Sequence, residues 1–229
     1  NEILKSKEYK STRYYNGSYI IVSDPNTGSI ISMVGKSYNN GVFYDNEIGN
    51  INKSYTVGSV VKAATISIGY KYNIIDIGTK MRDSCVKLYS VPQKCSFKKL
   101  GLIDDKTALM NSSNYYQFQI AIGLTGNSYT YNMKLHATEE HFKIYRNTLA
   151  SFGLGNITGI DLPNEQMGIK GKTIADDLLL NLSIGEYDSY TPIQVVEYIN
   201  TIAHSGKKYA PSLMSKIINE KKIILNKGC

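Results

Sequence analysis

The stretch SYIIVSDPNTGSIISMVG, residues 18–35, constrains the fold more than any other part of this 229-residue sequence. Two runs rich in β-branched residues, 19–23 and 29–34, flank Asp24-Pro25-Asn26-Thr27-Gly28. Proline presets its own φ and glycine supplies a corner with positive φ, so the pattern predicts an antiparallel hairpin. The next segment, KSYNNGVFYDNEIGNINKS, has no period and many Asn and Gly, which predicts a long loop. From Ser59 a helical pattern begins, with Val60, Ala63, Ala64 and Ser67 or Ile68 recurring at three- and four-residue steps. Residues 76–104 are irregular, and helical signal returns at 107–110 and 114–122. Residues 138–152 read as an amphipathic helix capped by Thr138, with Phe142, Tyr145, Leu149 and Phe152 on its buried face. GLGNITGIDLPNE is glycine and proline punctuation around a short strand or turn. TPIQVVEYINTIAHSG reads as a helix with Thr191 as cap, Pro192 at its first position and Gly206 as its end. SLMSKIIN follows as a strand. With no repeat, low-complexity tract or interdomain linker, residues 1–229 read as one α/β-type domain: hairpin first, helices in the middle, strand at the end.

Composition narrows the class. At 42% hydrophobic and 20% charged the chain is of the globular type. No apolar run approaches the roughly 18–20 residues of a membrane helix, and Asn1-Glu2-Ile3-Leu4 lacks the layout of a signal peptide. Any membrane anchor is therefore expected outside this sequence. The net charge is +7, yet the lysines are scattered and no stripe interleaves them with aromatics, which argues against a nucleic-acid surface. General solubility is the plain reading, with a mild attraction to an anionic wall or lipid surface behind it. Cys85 and Cys95 bracket VKLYSVPQK, and Cys229 is the third cysteine. The first two fit a disulfide closing a hairpin, half of a zinc site or two unlinked thiols, and the spacing leaves all three open.

Two clusters carry chemistry. In YTVGSVVKAA, Ser59 and Lys62 stand three apart and share one face of a helix. At the start of that helix the Ser59 N–H points toward the positive end of the dipole, where an oxyanion is stabilised. For Lys62 to take the Ser59 proton it must be neutral; moving its pKa from about 10.4 to near 7 works against the charged form by roughly 4–5 kcal/mol, which burial and a donor network can supply. The plain alternative is a helix-start serine and a solvated lysine. In MNSSNYYQF, Ser112 and Asn114 are two apart on a loop between helices and can both face a cleft, Ser112 relaying a proton and Asn114 bonding Lys62 and a substrate carbonyl. The plain alternative there is a helix cap.

In this order and with these flanks, the chain resembles the transpeptidase domain of penicillin-binding proteins, most closely the monofunctional class B type, within the serine acyl-transferase and β-lactamase superfamily. SDPNTGSIISMVG is similar to the family's first hairpin, YTVGSVVKAAT to its Tyr-x-Pro-Gly-Ser-x-x-Lys segment and SSNYYQFQIAIGL to its Ser-x-Asn motif. FGLGNITGIDLPNEQMG resembles Phe-Gly-x-Gly-x-x-Thr-Gly-Ile-Asp-Leu-Pro-x-Glu-x-x-Gly, and LSIGEYDSYTPIQVVEYINTIAHSGKKYAP the Ile-Gly-Gln-Gly…Thr-Pro-x-Gln helix. Three departures stand out. Val57 replaces the usual proline, Glu186-Tyr187 replaces Gln-Gly, and Lys-Thr-Gly does not occur, the Gly171-Lys172-Thr173 tripeptide lying before the Thr-Pro helix instead of after it.

The resemblance implies an α/β fold of the α+β kind, a mainly antiparallel sheet flanked by helices, incomplete here at its C-terminus before the Lys-Thr-Gly motif. It implies a D,D-transpeptidase with Ser59 as nucleophile, Lys62 as base, Ser112 as proton relay and Asn114 as ligand of both. Its partners would be D-Ala-D-Ala stem peptides of peptidoglycan, β-lactams as inhibitors and a glycosyltransferase, at the extracytoplasmic face of the cell membrane. No cofactor is implied. In some relatives the segment between the first two motifs holds zinc; here it offers Asp83, Cys85 and Cys95, with Cys229 as a further candidate. Glu165 is implied to be structural. The rival readings are a serine β-lactamase or β-lactam sensor domain, and a non-catalytic scaffold of a cell-wall complex.

Overall fold

The computed structural model describes residues 16–39, 42–219 and 222–226. They divide into two compact units, one holding the residues up to Tyr55, Phe152–Gly168 and those from Tyr190 onward, the other Thr56–Ser151 and Ile169–Ser189.

The first unit opens with β1 (Gly17–Ser23), β2 (Ile30–Asn39) and β3 (Val42–Asp45), an antiparallel sheet in that order. The turn expected between β1 and β2 is present. Asp24 N–H donates to the Ser29 carbonyl at 2.9 Å, Gly28 N–H donates back to Asp24 at 2.9 Å, and Gly28 takes φ +76°. The long loop expected over 36–54 is not there. β2 continues to Asn39, pairs with β3, and sets Tyr38 opposite Phe43 with ring centroids 5.0 Å apart; α1 (Gly49–Asn52) follows. Cross-strand aromatic pairing outweighs the low strand propensity of Asn39.

The second unit begins with a 3-10 turn, Gly58–Val61, that runs directly into α2 (Lys62–Lys71). Four two-residue strands occupy the segment that reads as irregular: β4 (Met81–Arg82), β5 (Cys85–Val86), β6 (Lys94–Cys95) and β7 (Leu102–Ile103), pairing β4 with β7 and β5 with β6. Then come α3 (Asp105–Met110), α4 (Asn114–Leu124), α5 (Glu139–Ser151) and α6 (Asp176–Ser183). α4 buries Tyr116, Phe118, Ile120, Ala121 and Ile122 and packs against α2 and α6. A helix apolar on every side belongs inside. α5 buries Phe142, Tyr145 and Leu149 as its pattern requires. Phe152 falls past its end, and its ring lies 5.7 Å from that of Tyr198 in the first unit. Arg146 of α5 grips the buried Asp188 with Nε to Oδ2 at 2.8 Å and Nη2 to Oδ1 at 2.9 Å.

The chain returns to the first unit with α7 (Pro192–Ala203), then β8 (Lys216–Asn219) and β9 (Lys222–Asn226), an antiparallel pair. Thr191 caps α7, and Gln194 completes a capping box by accepting the Thr191 N–H. Ile51 of α1 and Ile193 of α7 pack with Ile30 of β2 and Ile160 as this unit's core. Full burial of each such side chain contributes about 1.5–3 kcal/mol. Helices on antiparallel sheet, the expected α+β arrangement, is what the chain forms.

Candidate active site

Ser59, Lys62, Ser112 and Asn114 all lie in the second unit. Lys62 is the first residue of α2 and is only 2% exposed. Its ammonium donates to the Ser112 carbonyl at 2.8 Å, to Ser112 Oγ at 3.0 Å and to Asn114 Oδ1 at 2.6 Å. Those three bonds use all three of its N–H groups. Burial pulls its pKa down to about 8, and the negative charge of Glu186 pulls it partway back. The solvated-lysine alternative therefore does not hold.

Ser59 lies one turn earlier, exposed, within the 3-10 turn. Its carbonyl accepts the Lys62 backbone N–H. Among the described residues no side-chain hydrogen bond joins Ser59 to Lys62, so the structure brings Lys62, Ser112 and Asn114 together and shows no such bond from the exposed Ser59. The turn carrying Ser59 is fixed from behind. Gly58 N–H donates to the Gly185 carbonyl at 2.9 Å, and a Cβ on Gly185 would stand 2.1 Å from the Gly58 oxygen. Both glycines have positive φ, +60° and +78°. Only a residue without a side chain allows this backbone-on-backbone contact.

Ser112 owes its position to the end of α3. Ser113 N–H returns to Ala108 O at 2.8 Å and Ser112 N–H to Leu109 O at 3.1 Å, a Schellman closure with Ser112 in the left-handed region at φ +54°. That position belongs to glycine by preference. A serine there carries strain of order 1–2 kcal/mol, and strain of this kind gathers where a side chain has a task. Ser113, the next residue, caps α4 through the Tyr116 N–H at 3.1 Å. The cap alternative thus holds for Ser113 and not for Ser112.

Cys85 and Cys95 stand opposite each other in the β5–β6 pair and form a disulfide. This corrects the zinc option: bridged sulfurs have no thiolate to give a metal. Asp83, the third member of that set, accepts hydroxyl protons from Ser96 and Ser113 on Oδ2, each at 2.7 Å. Cys229 lies outside the described residues. Glu165 accepts Thr158 N–H at 2.7 Å and Gly159 N–H at 3.1 Å, a turn brace in the first unit. Gly171 of the Gly-Lys-Thr tripeptide donates its N–H to Asp188 Oδ1 at 2.8 Å. Sequence reasoning missed the contact of Gly185 with Gly58, the pairing of Arg146 with Asp188, and the Asp83–Ser96 network. Each joins segments far apart in the chain, and no local pattern announces them.

Comparison with known proteins places the architecture first. The chain superposes on penicillin-binding protein 2B of Streptococcus pneumoniae strain 5204 with a TM-score of 0.92 at 30% identity, covering 98% of this chain and 40% of that one. The fold is that of a penicillin-binding protein. More particularly, the chain belongs to the family described as penicillin binding protein transpeptidase domain, whose model matches residues 18–227. It is 35% identical to penicillin-binding protein 2A of Bacillus subtilis over 221 residues, 94% of this chain and 31% of the relative. It is 34% identical to penicillin-binding protein H of the same organism over 220 residues, again 31% of the relative's length. The chain thus spans about a third of the length of these curated relatives.

Proposed function

We propose that residues 1–229 act as the transpeptidase domain of a peptidoglycan D,D-transpeptidase, with Ser59 as nucleophile. The observation that carries the reading is the buried Lys62, whose pKa of about 8 lies within reach of the neutral form and whose bonds all go to Ser112 and Asn114. Neutral Lys62 keeps one lone pair. It takes the Ser59 proton as Oγ attacks the carbonyl carbon of the penultimate D-Ala of a stem peptide. The oxyanion forms at the start of the helix, beside the Ser59 N–H. The carbon–nitrogen bond then breaks, the proton returns from Lys62 through the Ser112 hydroxyl to the departing D-Ala amine, and a serine ester remains. An amine of a second stem peptide attacks that ester, forms the cross-link and restores Ser59. β-Lactams acylate Ser59 by the same first step. Asn114 holds Lys62 and receives the substrate amide. No cofactor enters these steps. Cys85–Cys95 suits an oxidising compartment, which supports placing the domain on the outer face of the membrane, tethered through an anchor outside these residues and working beside a glycosyltransferase.

The test is an intact mass after incubation with benzylpenicillin, on this chain and on the full-length protein, with Ser59→Ala as control. One adduct that maps to Ser59 and is lost in the variant is expected. Slow loss of that adduct fits a transpeptidase, whereas rapid turnover of a chromogenic cephalosporin would point to a β-lactamase. Folded full-length protein that takes no adduct would sink the catalytic reading and leave the scaffold.

Ser112→Gly separates task from strain. Relief of the left-handed serine offsets the added freedom of the unfolded chain, so stability stays within about 1 kcal/mol of wild type. Acylation falls by roughly 10²-fold as the relay hydroxyl is lost. A thermal melt and a labelling time course on the same sample read both effects. Unchanged labelling would remove Ser112 from the mechanism.

A further inference from the structure

Asn114 is held at both ends of its amide. Oδ1 accepts from Lys62 at 2.6 Å, and Nδ2 donates to the Cys95 carbonyl at 3.2 Å. The second bond orients the first: with the Cys95 oxygen taking the NH₂ group, the acceptor end is the one that faces the ammonium. Cys95 belongs to the hairpin β5–β6 and is bridged to Cys85 directly across it. The residue after Cys95 reaches the same place. Ser96 Oγ accepts the N–H of Asn114 at 3.0 Å and that of Tyr115 at 3.2 Å. Ser113 Oγ accepts the third, from Tyr116.

A hydroxyl has one proton, and both serines give theirs to Asp83 Oδ2 at 2.7 Å. Each oxygen must then turn its lone pairs toward the first turn of α4. Asp83, 9% exposed, therefore sets the polarity of both hydroxyls. Asp83 lies two residues before Cys85 and Ser96 one after Cys95, so the disulfide brings carboxylate and hydroxyl to the same end of the hairpin.

We propose that Ser96, aimed by Asp83 and fixed by the Cys85–Cys95 hairpin, is a positioning residue that holds Asn114 on Lys62 and so sets the reactivity of the lysine. This rests on the reading of Lys62 as the base. The plain alternative is a helix cap that only stabilises α4, and the two differ in what they do to the lysine. If Asn114 loosens, the charged lysine loses an acceptor and its neutral form gains. The pH midpoint of Ser59 acylation then moves toward acid, while misplacement of the base slows the plateau.

The experiment measures benzylpenicillin acylation against pH in the full-length protein for wild type, Ser96→Ala, Ser96→Thr and Asp83→Asn, with a thermal melt for each. Ser96→Ala is expected to slow the plateau by about 10–100-fold and to shift the midpoint below that of wild type. Ser96→Thr, which keeps the hydroxyl, restores both. Should Ser96→Ala fail to fold, Asp83→Asn decides by its plateau: it keeps the shape but removes a negative charge that alone would move the midpoint toward acid, so the slower plateau is the expected sign of a displaced Asn114. A lower melting temperature with rate and midpoint unchanged overturns the proposal in favour of the plain cap. A wild-type protein that takes no adduct at all refutes the underlying reading of Ser59 and Lys62 instead, so the two failures are told apart.

Discussion

Lys62→Met is expected to slow acylation of Ser59 by about three orders of magnitude while the melting temperature holds or rises. The loss follows from the role: a positioned general base contributes roughly 10²–10⁴-fold, and methionine offers no lone pair basic enough to replace it. The stability follows from burial. Lys62 has a pKa of about 8 in the fold against 10.5 when free in the chain, so at neutral pH the native state holds an ammonium at a cost of about 3 kcal/mol. Methionine has a similar reach and carries no charge to desolvate. Against this, Ser112 and Asn114 lose a donor, but neither is fully buried and water can take its place. The pH dependence carries a definite sign. Acylation by the wild type should climb with pH to half its plateau near 8, because only the neutral lysine accepts a proton. Stability should also rise between about pH 8 and 10.5, since there the unfolded chain binds a proton that the folded one does not. Lys62→Met should lose both dependences. Wild-type labelling speed in the methionine variant would show that Lys62 is not the base, and a wild-type midpoint near about 10 would show that burial does not lower its pKa.

Much of this site was legible because its parts are local. Ser59 and Lys62 stand three apart, a spacing that a helix-start serine and a solvated lysine fit as well, and it is their order and flanks, through the family resemblance, that single them out. The hairpin at Asp24–Gly28 and the cap at Thr191 are short-range chemistry that a sequence carries whole. Cross-chain contacts were not legible. No composition rule says that Gly185 must lie against Gly58, since the requirement appears only once two backbones meet at 2.9 Å. The same holds for Asp83 and Ser96, which read as members of an irregular segment and act together because a disulfide folds that segment back on itself. The 36–54 stretch was misread for a different reason. Its asparagines signal a loop residue by residue, while the pairing of Tyr38 with Phe43 is a property of two strands at once. Cys85 and Cys95 were ambiguous for a third reason: spacing alone suits a bridge as well as a metal, and only their register opposite each other decides.

Asp188→Ala carries the largest expected cost to stability. Asp188 is wholly buried and accepts from Arg146 twice and from the Gly171 N–H, while Arg146 also donates to the Gly171 carbonyl at 2.7 Å. Truncating one partner of such a pair leaves a guanidinium stripped of its carboxylate and a backbone donor without an acceptor, which costs about 3–5 kcal/mol. For a chain of this size that corresponds to a fall in melting temperature on the order of 10 °C. The pair itself need not be net stabilising, since replacing both charges with apolar groups of similar volume is often neutral. The double variant Arg146→Met/Asp188→Leu should therefore melt above Asp188→Ala. If it melts lower still, the pair contributes stability beyond its own desolvation. The damage should also reach the site. Asp188 follows Gly185 by three residues, and Gly185 holds the turn that carries Ser59, so Asp188→Ala protein that is still folded at low temperature should acylate more slowly than wild type, with the pH midpoint of Lys62 in place. A slower plateau at an unmoved midpoint would mark a displaced nucleophile, whereas the Ser96 variant moves the midpoint, and the two measurements together distinguish the support of the serine from the support of the lysine.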